Sequence, residues 1–194
     1  MTKSIGPKKL KTSVFISGNG SNLKSLIKFS KTRHSPIIIT FVVSNNKKAK
    51  GLFFSKKKNI ETKTYSFIKS NIAEIRILKD LQKRKVNLIC LAGFMKILSK
   101  NFINSFGGKI INIHPSLLPK YKGTNTFFKI LKNKEKKTGC TVHFVTEKLD
   151  SGKIILKKSF NIEEKFDVEN LKSKTQKVEH KAFSEAITRL YINL

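Results

Sequence analysis

Residues 109–123 read KIINIHPSLLPKYKG. The stretch opens as an apolar strand through Ile110 and Ile111, then sets an amide, Asn112, two residues before an imidazole, His114. Alternate residues of a strand share a face, so both polar groups point the same way at the strand's carboxyl end. Pro115 cannot donate to a ladder and Pro119 stiffens the chain beyond it, so the strand stops and a shaped loop, Ser116-Leu117-Leu118-Pro119, takes over. In open α/β sheets this edge is where ligands bind. Asn112 offers two N–H donors to a developing oxyanion, and His114 exchanges a proton near neutral pH. Together they suit attack on an acyl carbon. A bare N-x-H pair is more often a strand-end amide and imidazole that satisfy loop backbone.

The flanking segments alternate strand and helix. Residues 12–17 read as a strand, residues 18–22 (GNGSN) as a Gly-rich turn, and Leu23, Leu26 and Ile27 as one helix face. Such a turn frees N–H groups and aims a helix dipole at an anion, although an ordinary helix cap fits it equally well. The third glycine of a dinucleotide fingerprint is missing. Residues 36–43 and 86–91 are near-continuous apolar runs, as in strands buried on both faces of a parallel sheet. Residues 62–65 read as a short strand and residues 47–58 as a lysine-laden helix. Residues 67–84 carry Ile68, Ile72, Ile75, Leu78 and Leu81 as a helical stripe that core packing accounts for. Residues 126–133 follow as a helix with Thr124 or Asn125 at its cap, and 139–147 and 154–160 as strands joined by a turn at 148–152. Residues 168–190 form the last helix, with Val168, Leu171, Thr175, Val178, Ala182, Ala186 and Leu190 near one face. The fold class is therefore α/β, a doubly wound, mostly parallel sheet flanked by helices. Within it, Asp150 sits in a D-x-G turn that an Asx-turn explains, His143 is a lone strand histidine, and Glu179 is a charge on a helix.

The 194 residues suit one domain, residues 1–194, with residues 1–11 as a loose basic arm lacking the apolar core of a signal peptide. No apolar run reaches membrane-spanning length. Cys90 and Cys140 lie in apolar stretches without metal-ligand spacing, as expected of buried thiols in a reducing cytosol. A net charge of +29 suggests nucleic acid, but the lysines are spread along the chain. Lys, Asn, Ile and Phe abound while Ala, Gly, Pro and Trp are scarce, the pattern of an AT-rich coding sequence. The reading is therefore solvated lysine faces that attract anionic small molecules, with no specific nucleic acid and no membrane partner.

The motif INIHPSLLPKYKG resembles the signature of the folate-dependent formyltransferases. VFISGNGSNL at 14–23, LAGFMKILS at 91–99 and TGCTVHFVTEKLDSG at 138–152 resemble the same family in the same order. The likeness runs from about Ser13 into the last helix and is strongest to members that formylate phosphoribosylglycinamide in purine biosynthesis. It implies a Rossmann-like formyltransferase fold and 10-formyltetrahydrofolate as the donor co-substrate, without a metal. By the same resemblance Asn112, His114 and Asp150 are catalytic, with Asp150 paired to the imidazole and raising its proton affinity. Gly20, Ser21 and Asn22 hold the acceptor's ribose phosphate, and Glu179 meets its glycinamide end. Met95, Lys96, Ile97 and Leu98 line the folate pocket by the same resemblance; His143, as a lone strand histidine, is read as standing behind the catalytic residues and not as one of them. Lys96 occupies a position where many members carry Arg, so the charge stays but the planar fork is lost. Ser151 stands where the family has glycine or alanine.

The expected partners are small-molecule substrates, with the chain a monomer or weak homodimer in the cytoplasm. Two other readings compete. A formyltransferase acting on methionyl-tRNA would carry a second domain, for which no residues remain. A non-catalytic RNA-binding protein would interleave basic residues with exposed aromatics, whereas the phenylalanines here sit mostly at apolar-periodic positions.

Overall fold

The structure, a computed structural model, describes residues 8–193. Seven strands form one sheet in the order β3-β2-β1-β4-β5-β6-β7. They are β1 (Leu10–Ile16), β2 (Ile37–Ser44), β3 (Glu61–Thr64), β4 (Leu88–Leu91), β5 (Lys109–His114), β6 (Lys137–Phe144) and β7 (Ile154–Asn161). The first five pair in parallel, and β5–β6 and β6–β7 are antiparallel. The sheet is thus mixed at one edge, where the short connection after β6 returns β7 antiparallel to it. The expected basic arm at 1–11 lies mostly outside the described residues, and Leu10 and Lys11 already belong to β1.

Alternation along the strands feeds two cores. Val14 and Ile16 face one side with α1 (Ser21–Ser30), α2 (Lys50–Lys56) and α6 (Val168–Ile192). Phe15, Phe41 and Val43 face the other with α3 (Ser70–Lys83) and α4 (Lys100–Ser105). The central strands are buried on both faces, which is why they read as unbroken apolar runs. The remaining helix is α5 (Thr126–Lys132). Cys90 and Cys140 are free thiols buried in the first core. Among the described residues no helix is long and apolar enough to cross a membrane.

The face of α3 differs from the sequence reading. Ile68 precedes the helix and is 93% exposed, and Ile72 and Ile75 also face solvent. The buried stripe is Ala73, Ile77 and Leu81: the expected Leu81 is buried and Leu78 packs against the core, but the face is turned away from Ile72 and Ile75. Two causes set this rotation. Ala73 is small enough to approach a sheet face that already carries Phe15 and Phe41. Glu74 turns inward because its carboxylate accepts hydrogen bonds from the Ser99 N–H (2.8 Å) and hydroxyl (2.5 Å). Ser99 in turn caps α4 by accepting from the Phe102 N–H at 3.1 Å. The sequence reading assigned no element to residues 100–105. Phe102 is buried. Val168, expected on the inner face of α6, is 42% exposed because it occupies the first turn, beyond the sheet.

Backbones approach closely where β6 meets β7. A Cβ built on Gly139 would lie 1.9 Å from the Lys158 carbonyl oxygen, so only glycine fits between the paired strands. Gly139→Ala is expected to lower stability by about 1–3 kcal/mol, the usual cost of overpacking. A urea midpoint equal to that of the parent would contradict this.

Candidate active site

A cleft of about 880 Å³ opens along the carboxyl ends of β1, β4 and β5. Strand order reverses here, because the chain moves outward from β1 to β3 and then returns past β1 to β4. The loops after β1 and β4 therefore diverge to opposite faces and leave a crevice. Every residue singled out from the sequence borders it: Gly20, Ser21 and Asn22, Met95 to Leu98, Asn112, His114, Asp150 and Glu179.

Asp150 lies at the centre of the polar part. It adopts a left-handed conformation (φ 47°) in the turn after β6, which folds its carboxylate back over β5. Gly152 makes this turn possible, since a Cβ there would fall 1.8 Å from the Phe144 carbonyl oxygen. One carboxylate oxygen accepts the Gly123 N–H at 2.9 Å and lies 3.3 Å from His114 Nδ1. The other accepts from Asn112 Nδ2 at 3.4 Å and lies 3.6 Å from His143 Nε2. Burial pushes the Asp150 carboxyl up, but His143, the Gly123 N–H and His114 together hold it below the ordinary carboxylate range.

His114 is 5% exposed. Its Nε2 lies 2.7 Å from the Tyr121 carbonyl, which can only accept, so Nε2 carries a hydrogen. That leaves Nδ1 facing the Asp150 carboxylate. An imidazolium would satisfy both neighbours, yet burial outweighs them and lowers the His114 pKa below the ordinary histidine value. The sequence reading had Asp150 raising the imidazole's proton affinity. Asp150 does act in that direction, but the net shift is downward.

Asn112 also has both amide hydrogens engaged. Nδ2 is 3.3 Å from His143 Nε2 and 3.4 Å from Asp150 Oδ1. These are long bonds, so an anionic oxygen entering the cleft can compete for either hydrogen. His143 was read only as standing behind the site. Its Nδ1 donates to the Phe144 carbonyl at 2.8 Å, which leaves Nε2 free to accept from Asn112. The pairing of Asn112 with His143 across β5 and β6 puts them together. The Tyr121 carbonyl was missed altogether, since a backbone acceptor leaves no mark on residue types.

The loop that follows His114 is tied to the sheet. Thr141 Oγ1 donates to the Ser116 carbonyl (2.7 Å) and accepts from the Leu118 N–H (3.0 Å). Lys122 Nζ donates to Ser151 Oγ at 2.5 Å, joining this loop to the Asp150 turn.

At the other end of the cleft, Gly20 is the N-cap of α1 with φ 74°, no side-chain cap and no acidic residue in the first turn. The first N–H groups of α1 are thus available to an anion. Gly20 must be glycine, because a Cβ would meet the Gly51 backbone at 2.7 Å. Asn22 Nδ2 donates to Glu179 Oε2 at 2.9 Å, and Asn22 Oδ1, buried, finds no partner among the described residues. Burial raises the Glu179 carboxyl to about 7 against the opposing pull of Asn22. Glu179 is therefore a buried cleft residue and not a solvated helix charge. In the wall formed by residues 92–98, Met95 and Ile97 are exposed side chains, whereas Leu98 sits mainly in the core beside Phe102. Among the described residues no cluster of His, Cys, Asp or Glu has the geometry of a metal site.

Residues 10–187 match the family model described as formyl transferase. The chain is 38% identical to a phosphoribosylglycinamide formyltransferase of Haemophilus influenzae, covering 95% of this chain and 92% of that protein. It is 40% identical to the trifunctional purine biosynthetic protein adenosine-3 of Bos taurus, of which it spans only 18%. Among solved structures, the phosphoribosylglycinamide formyltransferase of Brucella melitensis superposes with a TM-score of 0.90 at 35% identity, covering 95% of this chain and 96% of that one. The chain belongs to the formyl transferase family, on its phosphoribosylglycinamide formyltransferase branch.

Proposed function

We propose that this chain, acting as a single formyltransferase domain in the cytosol, moves the formyl group of 10-formyltetrahydrofolate to the primary amine of 5′-phosphoribosylglycinamide in purine biosynthesis. One observation carries the reading. Asn112, His114 and Asp150 converge in the same cleft as the uncapped start of α1, so an acyl-transfer centre and an anion site share one cavity.

The acceptor's phosphate sits on the N–H groups at Gly20, Ser21 and Asn22, and Glu179 and the unpartnered Asn22 Oδ1 meet the polar groups beyond it. The folate lies against the wall of residues 95–98. The amine nitrogen attacks the formyl carbon directly, and the carbonyl electron pair moves onto oxygen in a tetrahedral intermediate. Asn112 exchanges one of its long hydrogen bonds for the oxyanion. The His114 pKa is low in the empty cleft, so the neutral imidazole can take the proton that the attacking amine loses as negative charge develops beside it. Asp150 stabilises that imidazolium. Collapse of the intermediate breaks the bond to the folate nitrogen, and the proton lost by the amine ends on that nitrogen.

The direct test mixes the protein with both substrates and follows release of tetrahydrofolate. Transfer to phosphoribosylglycinamide is the expected result, and its absence from folded protein would overturn the reading. His114→Ala and Asp150→Ala are each expected to lower kcat by about 10²–10⁴-fold, with substrate dissociation constants changing only a few-fold. Near-parental turnover in both variants would refute their roles.

Glu179 gives a pH signature. Its folded pKa of about 7 lies above the ordinary value of 4.5, so the native state binds more protons between these values and stability falls as pH rises through them. Glu179→Gln removes that loss. Its stability relative to the parent should climb between about pH 4.5 and 7 by on the order of 3 kcal/mol, at about 1.4 kcal/mol per pKa unit, and level off above. Denaturation curves across this range check it, and a difference independent of pH would contradict it.

A further inference from the structure

Ser17 directly follows β1 at the point where strand order reverses, and all of its polar groups are in use. Its N–H donates to the Gly93 carbonyl at 3.1 Å. Its hydroxyl accepts the Met95 N–H at 2.7 Å and spends its single hydrogen on Asn45 Oδ1 at 2.5 Å. Its carbonyl accepts from Asn46 Nδ2 at 3.2 Å. The next residue, Gly18, opens the turn that leads to the start of α1, and its carbonyl accepts the Gly51 N–H at 3.1 Å. One residue therefore joins the anion-binding turn, the loop after β2 and the wall of residues 92–98.

That wall is packed through Phe94, edge-on to Phe15 and Phe67, and through Leu98 in the core, while its exposed stretch at Met95 relies on hydrogen bonds to hold it. Residues 93–98 lie outside any helix or strand. Among the described residues, the three hydrogen bonds between residues 92–98 and the remaining protein all end on β1 or Ser17: Ala92 N–H to the Phe15 carbonyl at 2.9 Å, and the two Ser17 contacts to Gly93 and Met95. Glycine at 93, with φ 74°, lets the loop turn without a side chain to wedge it in place. A displacement of Ser17 thus reaches Gly93 through its N–H and Met95 directly through its hydroxyl.

We propose that Ser17 is a positioning residue that couples the anion-binding turn to the loop of residues 92–98, so that each substrate binds more tightly when the other is present. The inference rests on the proposed formyl transfer for the identity of the two ligands. Ser17 touches neither reacting atom; it sets the loop through the Met95 amide. Because the coupling is a binding free energy, it is reciprocal: the acceptor must tighten the folate by the factor by which the folate tightens the acceptor.

Tetrahydrofolate, which carries no formyl group, allows both ligands to be bound without reaction. Its dissociation constant is measured by calorimetry with and without saturating phosphoribosylglycinamide. In the parent the ratio is expected to be at least about fivefold. In Ser17→Ala it should fall to about one while both ligands still bind, because the Met95 N–H has lost its acceptor. Ser17→Thr retains a hydroxyl and should restore the ratio. It also serves as the well-folded comparison should Ser17→Ala melt early, and Asn45→Ala, which frees the hydroxyl's hydrogen but keeps the Met95 bond, should lie between. A merely structural role for Ser17 would weaken both ligands without changing the ratio. A parental ratio of one, or a Ser17→Ala ratio equal to the parent's, overturns the coupling even where formyl transfer occurs. Failure of the parent to transfer formyl at all would overturn the functional reading and the coupling with it.

Discussion

The site depends on keeping one carboxylate ionised where little water reaches it. Asp150 is 8% exposed, and removing such a charge from water costs several kcal/mol unless it is hydrogen-bonded on all sides. The Gly123 N–H and the Asn112 amide donate to it, and the rings of His114 and His143 enclose it at 3.3 and 3.6 Å. The requirement explains much of the local architecture. The left-handed turn at Asp150, the glycine two residues later and the loop held down by Thr141 all bring a donor to a carboxylate oxygen.

This centre is also poised rather than saturated. The contacts of Asn112 are 3.3 and 3.4 Å, longer than a good N–H···O bond. His114 sits between a carbonyl and a carboxylate that favour its charged form, in a burial that disfavours it. A developing negative oxygen would relieve both conditions at once, since it shortens a bond to the amide and tips the imidazole toward protonation. Electrostatic assistance of this kind acts on the transition state more than on the ground state.

Acidic residues are scarce in a chain of net charge +29, and each of its three aspartates has a distinct place. Asp167 caps α6 by accepting the Asn170 N–H at 2.7 Å. Asp80 joins Lys63, Tyr65 and Arg84 where α3 crosses the outer sheet edge; burial raises its carboxyl, and those three hydrogen bonds bring it to about 2. Asp150 serves the cleft. The sequence reading placed Asp150 in a D-x-G turn but could not tell an Asx-turn from a catalytic carboxylate, because both use the same residues. Glu179 was equally ambiguous, since the helical period says only that it lies near the inner face. The α3 stripe misled for a related reason. Two apolar stripes run along that helix, and the period alone does not say which one meets a sheet already crowded by phenylalanines.

By itself the sequence determined the alternation of strands and helices, the burial of the central strands on both faces, the end of β5 at Pro115, and the shared face of Asn112 and His114. These follow from local rules: side-chain period, proline's missing N–H, and the freedom of glycine. Only the tertiary structure decided the strand order that opens the cleft, the antiparallel edge that sets His143 opposite Asn112, the rotation of α3, and the use of the Tyr121 carbonyl and the Ser17 hydroxyl as anchors. Each joins residues far apart in the chain, or uses a backbone group common to every residue type, so its cause is packing and long-range hydrogen bonding that no local pattern encodes.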